Sequence, residues 1–411
     1  MHGILTNDGK KPTNPLPSPP VLRGRGAGAE GVFASDAPPL TPGPSPPSTG
    51  AIGKSRKSDL WRRARGTLLL ALAAFVATQV GVGLFIEGYK PELRDPIFEI
   101  KYRQLARLLQ QHPQPPAAVV FLGSSMSANG MKAEIAEAPL TASLGRPVVS
   151  YNLATNGGGP ITHLVYMQRL LRRNVRPELV VLEVSPLLFS PGQVSMDLRR
   201  FSADVLERQD LDILERHSDQ PALRDEWWQS HLVPAYGHRL MILNQSARTL
   251  VPFHEQIELW PDVDDHGWRG RPAPSPEEHR VNMTLIEYQL KKRLADFKVD
   301  EVPLHGLREL SELLATERIK TVVVMMPEGP HLRSLYAPGS TVPVLAEFAA
   351  LSGQHGFMLI DAHAWYDEGS FVDSYHLHEE AADAFTQRLV REALVPMVGP
   401  GRGVAASGKK N

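Results

Sequence analysis

The feature that most constrains this chain is residues 66–86, Gly-Thr-Leu-Leu-Leu-Ala-Leu-Ala-Ala-Phe-Val-Ala-Thr-Gln-Val-Gly-Val-Gly-Leu-Phe-Ile, which carry no charge and one strongly polar side chain, Gln79. As a helix rising about 1.5 Å per residue the run spans roughly 30 Å, the thickness of a bilayer core. A buried helix of a soluble protein is the other reading. The length, the lack of charge and the flanking Lys54, Arg56, Lys57, Arg62, Arg63 and Arg65 favour a membrane span. Beyond Ile86, Lys90 and Arg94 are interspersed with Glu87, Glu92 and Asp95, so the charge bias keeps the amino terminus in the cytoplasm and places the remainder of the chain outside it. A cleaved leader starts with a short charged segment, whereas 65 residues precede this run, so an uncleaved signal anchor in the cytoplasmic membrane is expected.

Residues 1–58 are rich in Pro, Gly and Ser and cannot bury enough apolar surface to offset the entropy of ordering, so a disordered cytoplasmic tail is expected there, and another over 399–411. In the 411 residues, 44 Lys and Arg balance 45 Asp and Glu, which leaves no field to attract nucleic acid. The absence of cysteine excludes disulfides, thiol catalysis and cysteine-ligated metal. Residues 91–114 carry Ile97, Phe98, Ile100, Tyr102, Leu105, Leu108 and Leu109 at helical spacing and predict a helix connecting anchor to domain.

Over 117–398, strand signals at 117–122, 147–152, 178–184, 319–326 and 356–361 alternate with amphipathic stretches at 161–173, 304–317 and 342–352. This pattern predicts a three-layer α/β/α domain with a parallel, flavodoxin-like five-stranded sheet, in which sites form beyond the carboxyl ends of the strands. Residues 189–303 form a long insertion, expected to cap or rim the site, whose Trp227 and Trp228 either pack inside it or stack on sugar rings. Asp262, Asp264 and Gly267 echo a calcium loop, but Ala273 stands at the twelfth position in place of Glu, so a solvated turn is expected and no metal.

The strand at 117–122 breaks into Gly123-Ser124-Ser125, where Ser125 would be exposed as a nucleophile or would simply begin a helix. The segment is not G-x-S-x-G, because Ser127 replaces the second glycine. A base and its orienting carboxylate are available far downstream in Asp373-Ser374-Tyr375-His376-Leu377-His378, with His378 a competitor to His376; the bland reading is a polar loop capping the next helix. After the second strand, Asn156-Gly157-Gly158-Gly159 is either a flexible turn or a set of exposed amides for an oxyanion. His331, after the fourth strand, reads as a surface residue or a lining one.

These residues together resemble the SGNH/GDSL hydrolase superfamily over roughly 117–394. Gly123-Ser124-Ser125 stands for the family's Gly-Asp-Ser, Asn152-Leu153-Ala154-Thr155-Asn156-Gly157 for its second block, and Asp373-Ser374-Tyr375-His376-Leu377 for its Asp-x-x-His-Leu. The resemblance implies Ser125 as nucleophile, His376 rather than His378 as base, Asp373 as orienting acid, and the amides of Ser125 and Gly157 as oxyanion donors, with no cofactor. The third block departs. The family carries an oxyanion asparagine there, whereas this strand ends Leu182-Glu183-Val184-Ser185-Pro186-Leu187, leaving Asn156 and Asn129 to be weighed as substitutes. The membrane-anchored branch resembling polysaccharide O-acetylation and D-alanine transfer proteins also often has Gly-Ser-Ser. It implies an acyl donor, a carbohydrate acceptor or acylated polysaccharide, a membrane acyltransferase partner, and an esterase or O-acyltransferase working outside the cytoplasmic membrane. A non-catalytic, polysaccharide-binding or assembly protein on the same fold is the alternative.

Overall fold

The computed structural model describes residues 52–252, 256 and 263–399, so most of the expected tails, and Asp262, lie outside it. The chain divides into two units, Met1–Thr67 and Leu68–Asn411. In the first, the described residues are helical and belong to α1 (Ile52–Gly88). Its stretch Leu60–Gly88 is long and apolar enough to cross a membrane by length and composition, and Leu68, Leu69, Leu70 and Leu84 are left uncovered by protein.

The helix expected over 91–114 is two pieces, a 3-10 turn at Pro91–Leu93 and α2 (Pro96–Gln110). Pro96 has no N–H with which to continue a helix, and Asp95 takes the N-cap position, accepting from Phe98 N at 3.1 Å. The domain then runs β1 (Ala117–Leu122), α3 (Ser125–Gly130), α4 (Glu137–Leu144), β2 (Val148–Asn152), α5 (Pro160–Arg172) and β3 (Leu179–Val184). The insertion supplies α6 (Pro191–Arg199), α7 (Asp210–His217), α8 (Leu223–Leu232), α9 (Pro234–Gly237), α10 (Arg239–Ser246) and α11 (Pro276–Ala295). After it come α12 (Glu301–Thr316), β4 (Lys320–Met325), α13 (Pro330–Leu335), α14 (Val342–His355), β5 (Met358–Asp361) and α15 (Glu379–Leu389).

The five strands are all parallel in the order β2-β1-β3-β4-β5, as the alternation of strand and helix predicts. Successive side chains of a strand point to opposite faces. Val120, Leu122, Val180, Leu182 and Val323 therefore join a core with α2, α5, α12 and α14, while Val119, Phe121, Val181, Val322 and Val324 join a second core with α3, α4 and α15. The insertion departs from the carboxyl end of β3, so its helices start beside the crevice where this architecture places sites.

One buried cation ties the insertion to this frame. Arg169 on α5 is fully buried; its Nε and Nη2 donate to Asp210 Oδ2 at 2.9 and 2.7 Å, and its Nη1 to Asp95 Oδ2 at 2.6 Å. The same two carboxylates begin α7 and cap α2, so three helices share one charge network. Removing one member of a buried network leaves the others uncompensated. Arg169→Met is expected to destabilise the chain by about 3–5 kcal/mol, read as a lowered denaturation midpoint in detergent, far more than loss of an exposed pair such as Arg107 with Asp265.

Candidate active site

The turn after β1 is built around a buried carboxylate. Glu183, in the otherwise apolar β3, accepts from Ser124 N at 2.8 Å, Ser124 Oγ at 2.5 Å and Ser127 N at 3.0 Å, and also from the Ser127 hydroxyl. Burial pushes its carboxyl up, and these hydrogen bonds oppose the rise. A side chain at position 123 would collide with Glu183 and Ser127, which is why glycine stands there. Ser124 is also the N-cap of α3, its Oγ accepting from Met126 N at 3.1 Å. With the amides of Ser124, Met126 and Ser127 engaged, the Ser125 N–H at the start of the helix is left without an acceptor among the described residues.

Ser125 meets the downstream pair. Its Oγ lies 2.7 Å from His376 Nε2, and His376 Nδ1 lies 2.7 Å from Asp373 Oδ2. The loop that brings them is tightly held. His376 N donates to Asp373 Oδ1 at 2.9 Å, and Ser374 adopts a left-handed backbone (φ 69°) fixed by Gly329 N on its carbonyl at 2.6 Å and Leu332 N on its Oγ at 3.0 Å. Burial alone would raise the Asp373 carboxyl, but His376 and, more distantly, Arg271 at 3.8 Å outweigh it and hold it below its ordinary value. An ionised Asp373 only accepts, so the imidazole carries its proton on Nδ1 and presents Nε2 to the Ser125 hydroxyl.

The loop after β2 brings Gly157, at φ 66°, to the same cavity, and its neighbours are pinned from elsewhere. Asp197 of α6 accepts from Gly159 N at 3.0 Å, Ile161 N at 3.0 Å and Thr162 N at 3.2 Å, and Arg200 donates to the Asn156 carbonyl. The cavity, about 170 Å³, is lined by Ser125, Gly157, Leu187, Leu188, Gln193, Met196, Leu290, Arg293 and Tyr375 among others. Gln193, Met196, Leu290 and Arg293 belong to α6 and α11, so the insertion does reach over this end of the sheet. Gln193 is buried, and its carboxamide has no side-chain partner among the described residues. Arg293 Nε is buried and unpartnered; burial pulls the guanidinium below the ordinary arginine value, with only the Tyr336 and Tyr375 hydroxyls opposing.

Other residues singled out from the sequence lie apart. His378 is the N-cap of α15, its Nδ1 accepting from Ala381 N at 3.4 Å. Asn129 donates to the Arg269 carbonyl at 2.8 Å, and Asn156 offers Arg200 its backbone carbonyl; neither lines the cavity. His331 sits on α13, its amide donating to Glu368. Trp227 packs within the insertion with Nε1 on the Leu206 carbonyl at 3.0 Å, Trp228 is half exposed, and neither lines the cavity. Asp264 closes its own turn on the amides of His266 and Trp268. Gln193 and Arg293 carry no sequence signal that would mark them, since nothing in the insertion's pattern says which residues fold back over the sheet. Glu183 did carry one: a lone acid in a buried apolar strand needs partners.

No family model and no curated protein matches the chain. Among solved structures it is similar to Est24, a carbohydrate acetylesterase from Sinorhizobium meliloti, at 10% identity and a TM-score of 0.31, over 68% of this chain and 98% of that one. A likeness this distant says nothing by itself about chemistry, which is carried by the geometry of the site.

Beneath the Gly157 loop lies Lys101 of α2, fully buried, whose Nζ donates to the carbonyls of Asn152 at 2.9 Å, Ala154 at 2.7 Å and Gly267 at 3.1 Å. Burial lowers its ammonium from 10.5 to about 7, with Asp264 opposing. Between those values the unfolded chain holds a proton that the native chain lacks, so this group makes stability rise with pH from about 7 to 10.5. Lys101→Met is expected to remove that slope, about one proton's worth, in denaturation midpoints measured across the window, and to speed hydrogen exchange of the amides at 153–159.

Proposed function

We propose that the protein is a membrane-anchored serine acyl-ester hydrolase or O-acyltransferase that acts on small acyl esters of an envelope or exported polysaccharide. The observation that carries the chemistry is the chain of contacts from Ser125 Oγ to His376 Nε2 to Asp373, each link 2.7 Å. As Ser125 Oγ attacks the acyl carbonyl, His376 Nε2 takes its proton, and Asp373 stabilises the imidazolium. The amides of Ser125 and Gly157 donate to the developing oxyanion. Gln193 supplies a carboxamide in the same cavity, in the role the family gives to the absent third-block asparagine. His376 then protonates the leaving alkoxide, and water or a sugar hydroxyl resolves the acyl-enzyme.

Several features support the finer parts of this reading. A cavity of about 170 Å³ with Leu187, Leu188, Met196 and Leu290 in its wall suits a short acyl chain, and the donors of Gln193 and Arg293 suit an oxygen-rich partner. The apolar stretch Leu60–Gly88 suits an anchor. The carbohydrate follows from the resemblance to the O-acetylation branch.

The test is turnover of a chromogenic acetyl ester and of an O-acetylated polysaccharide by the full chain in detergent. Ser125→Ala and His376→Ala are each expected to lower kcat by about 10⁴-fold or more, and Gln193→Leu by about 10²-fold with KM little changed. Wild-type turnover retained in Ser125→Ala would remove the site assignment. Tight polymer binding without turnover by the wild type would favour the binding-protein alternative.

A further inference from the structure

We infer that α8–α10 form a wedge set into the bilayer leaflet at the Gly88 end of α1, so that the enzyme domain grips the membrane surface with its insertion as well as hanging from its anchor. This rests on the reading of α1 as a membrane-spanning helix. Along that helix most side chains are uncovered, yet Gln79 is only 9% exposed. Its Oε1 accepts from Ala235 N at 3.2 Å, and one turn further on Gly83 has the Pro234 ring beside it, with Cγ 3.6 Å from where a Cβ would stand. At 1.5 Å per residue, Gln79 lies about 13 Å before Gly88 and about 10 Å inside the apolar run ending at Ile86. The tip of the insertion therefore descends alongside the anchor to a depth where lipid surrounds it.

The surface of this tip is what such a depth requires. Trp228 and Leu232 of α8, Tyr236 of α9 and Leu240 of α10 are 49%, 66%, 64% and 37% exposed. An aromatic and aliphatic stripe with Trp and Tyr is the side-chain mixture that settles at the interface, where amphipathic helices enter about 5–10 Å. The Arg239 guanidinium stacks over the Tyr236 ring, 3.8 Å from its centroid, and donates to the Tyr236 carbonyl at 2.7 Å, which sets a cation beside the aromatic side chain at the level of lipid phosphate. Depth also explains Gln79 itself. A polar side chain in hydrocarbon needs a partner, and the Ala235 amide in the first turn of α9, left free by the helix start, gains an acceptor that lipid cannot provide.

The chain has no cysteine, so single-cysteine variants carry a probe without background. The full chain is reconstituted into phosphatidylcholine–phosphatidylglycerol vesicles with an environment-sensitive fluorophore at Leu232→Cys or Tyr236→Cys. References are Ala74→Cys in the anchor and Val281→Cys, an exposed position on α11. The expected result is several-fold stronger quenching by shallow brominated lipid, and several-fold weaker quenching by aqueous iodide, at 232 and 236 than at 281. If 232 and 236 behave like 281 while 74 is quenched by deep brominated lipid, the wedge is wrong and the anchor stands. If 74 also escapes lipid quenching, the anchor reading falls and the wedge with it. Shielding of 232 and 236 from both quenchers would mean that protein, a second copy or a partner, covers the stripe, and would equally overturn the proposal.

Discussion

The arrangement of this site depends on one buried carboxylate. Glu183 lies in the middle of a parallel sheet with no cation against it, a placement that costs several kcal/mol unless its oxygens are fully hydrogen-bonded. The donors come from the turn that carries Ser125: the amides and hydroxyls of Ser124 and Ser127. Satisfying the acid and fixing the serine are therefore the same event. The Gly-Ser-Ser-x-Ser turn gains a physical reason in this way, since Ser124 and Ser127 stand where the carboxylate needs hydroxyls, and Gly123 where no side chain fits.

A second constraint acts on the loop opposite. Asp197 and Arg200 hold it from the insertion and Lys101 from the connecting helix, so the Gly157 amide is positioned by segments that precede and follow its loop in sequence. The insertion thus has two kinds of contact: α6 and α11 shape the cavity, and α9 meets α1 through Ala235 and Gln79.

Much of this was legible in the sequence, for identifiable reasons. Buried parallel strands are near-continuous apolar runs, so 117–122 and 178–184 announce themselves, and the strand ends then fix which loops share the crevice. Asp373 and His376 were legible through the resemblance, since spacing alone left His378 as a competitor; in the fold the pair is tied by His376 N donating to Asp373 Oδ1. The break before α2 was hidden by apolar spacing that continues through Pro96, although proline and a capping Asp95 are there to be read. Gln193 and Arg293 were not legible, because which face of an inserted helix turns inward is decided by tertiary packing alone. The use of Asn129 as a loop tie, and not as a donor to the site, likewise depends on where residues 263–271 come to rest.

Everything proposed for the chemistry requires Ser125 to be an activated nucleophile. Labelling of the full chain with a fluorophosphonate, located by peptide mass spectrometry, tests this without knowledge of the substrate. An activated Ser125 gives a single adduct at that residue, which disappears in His376→Ala while the protein stays folded. Folded wild-type protein that takes up no label, or a Ser125 adduct that forms equally fast without His376, would contradict it.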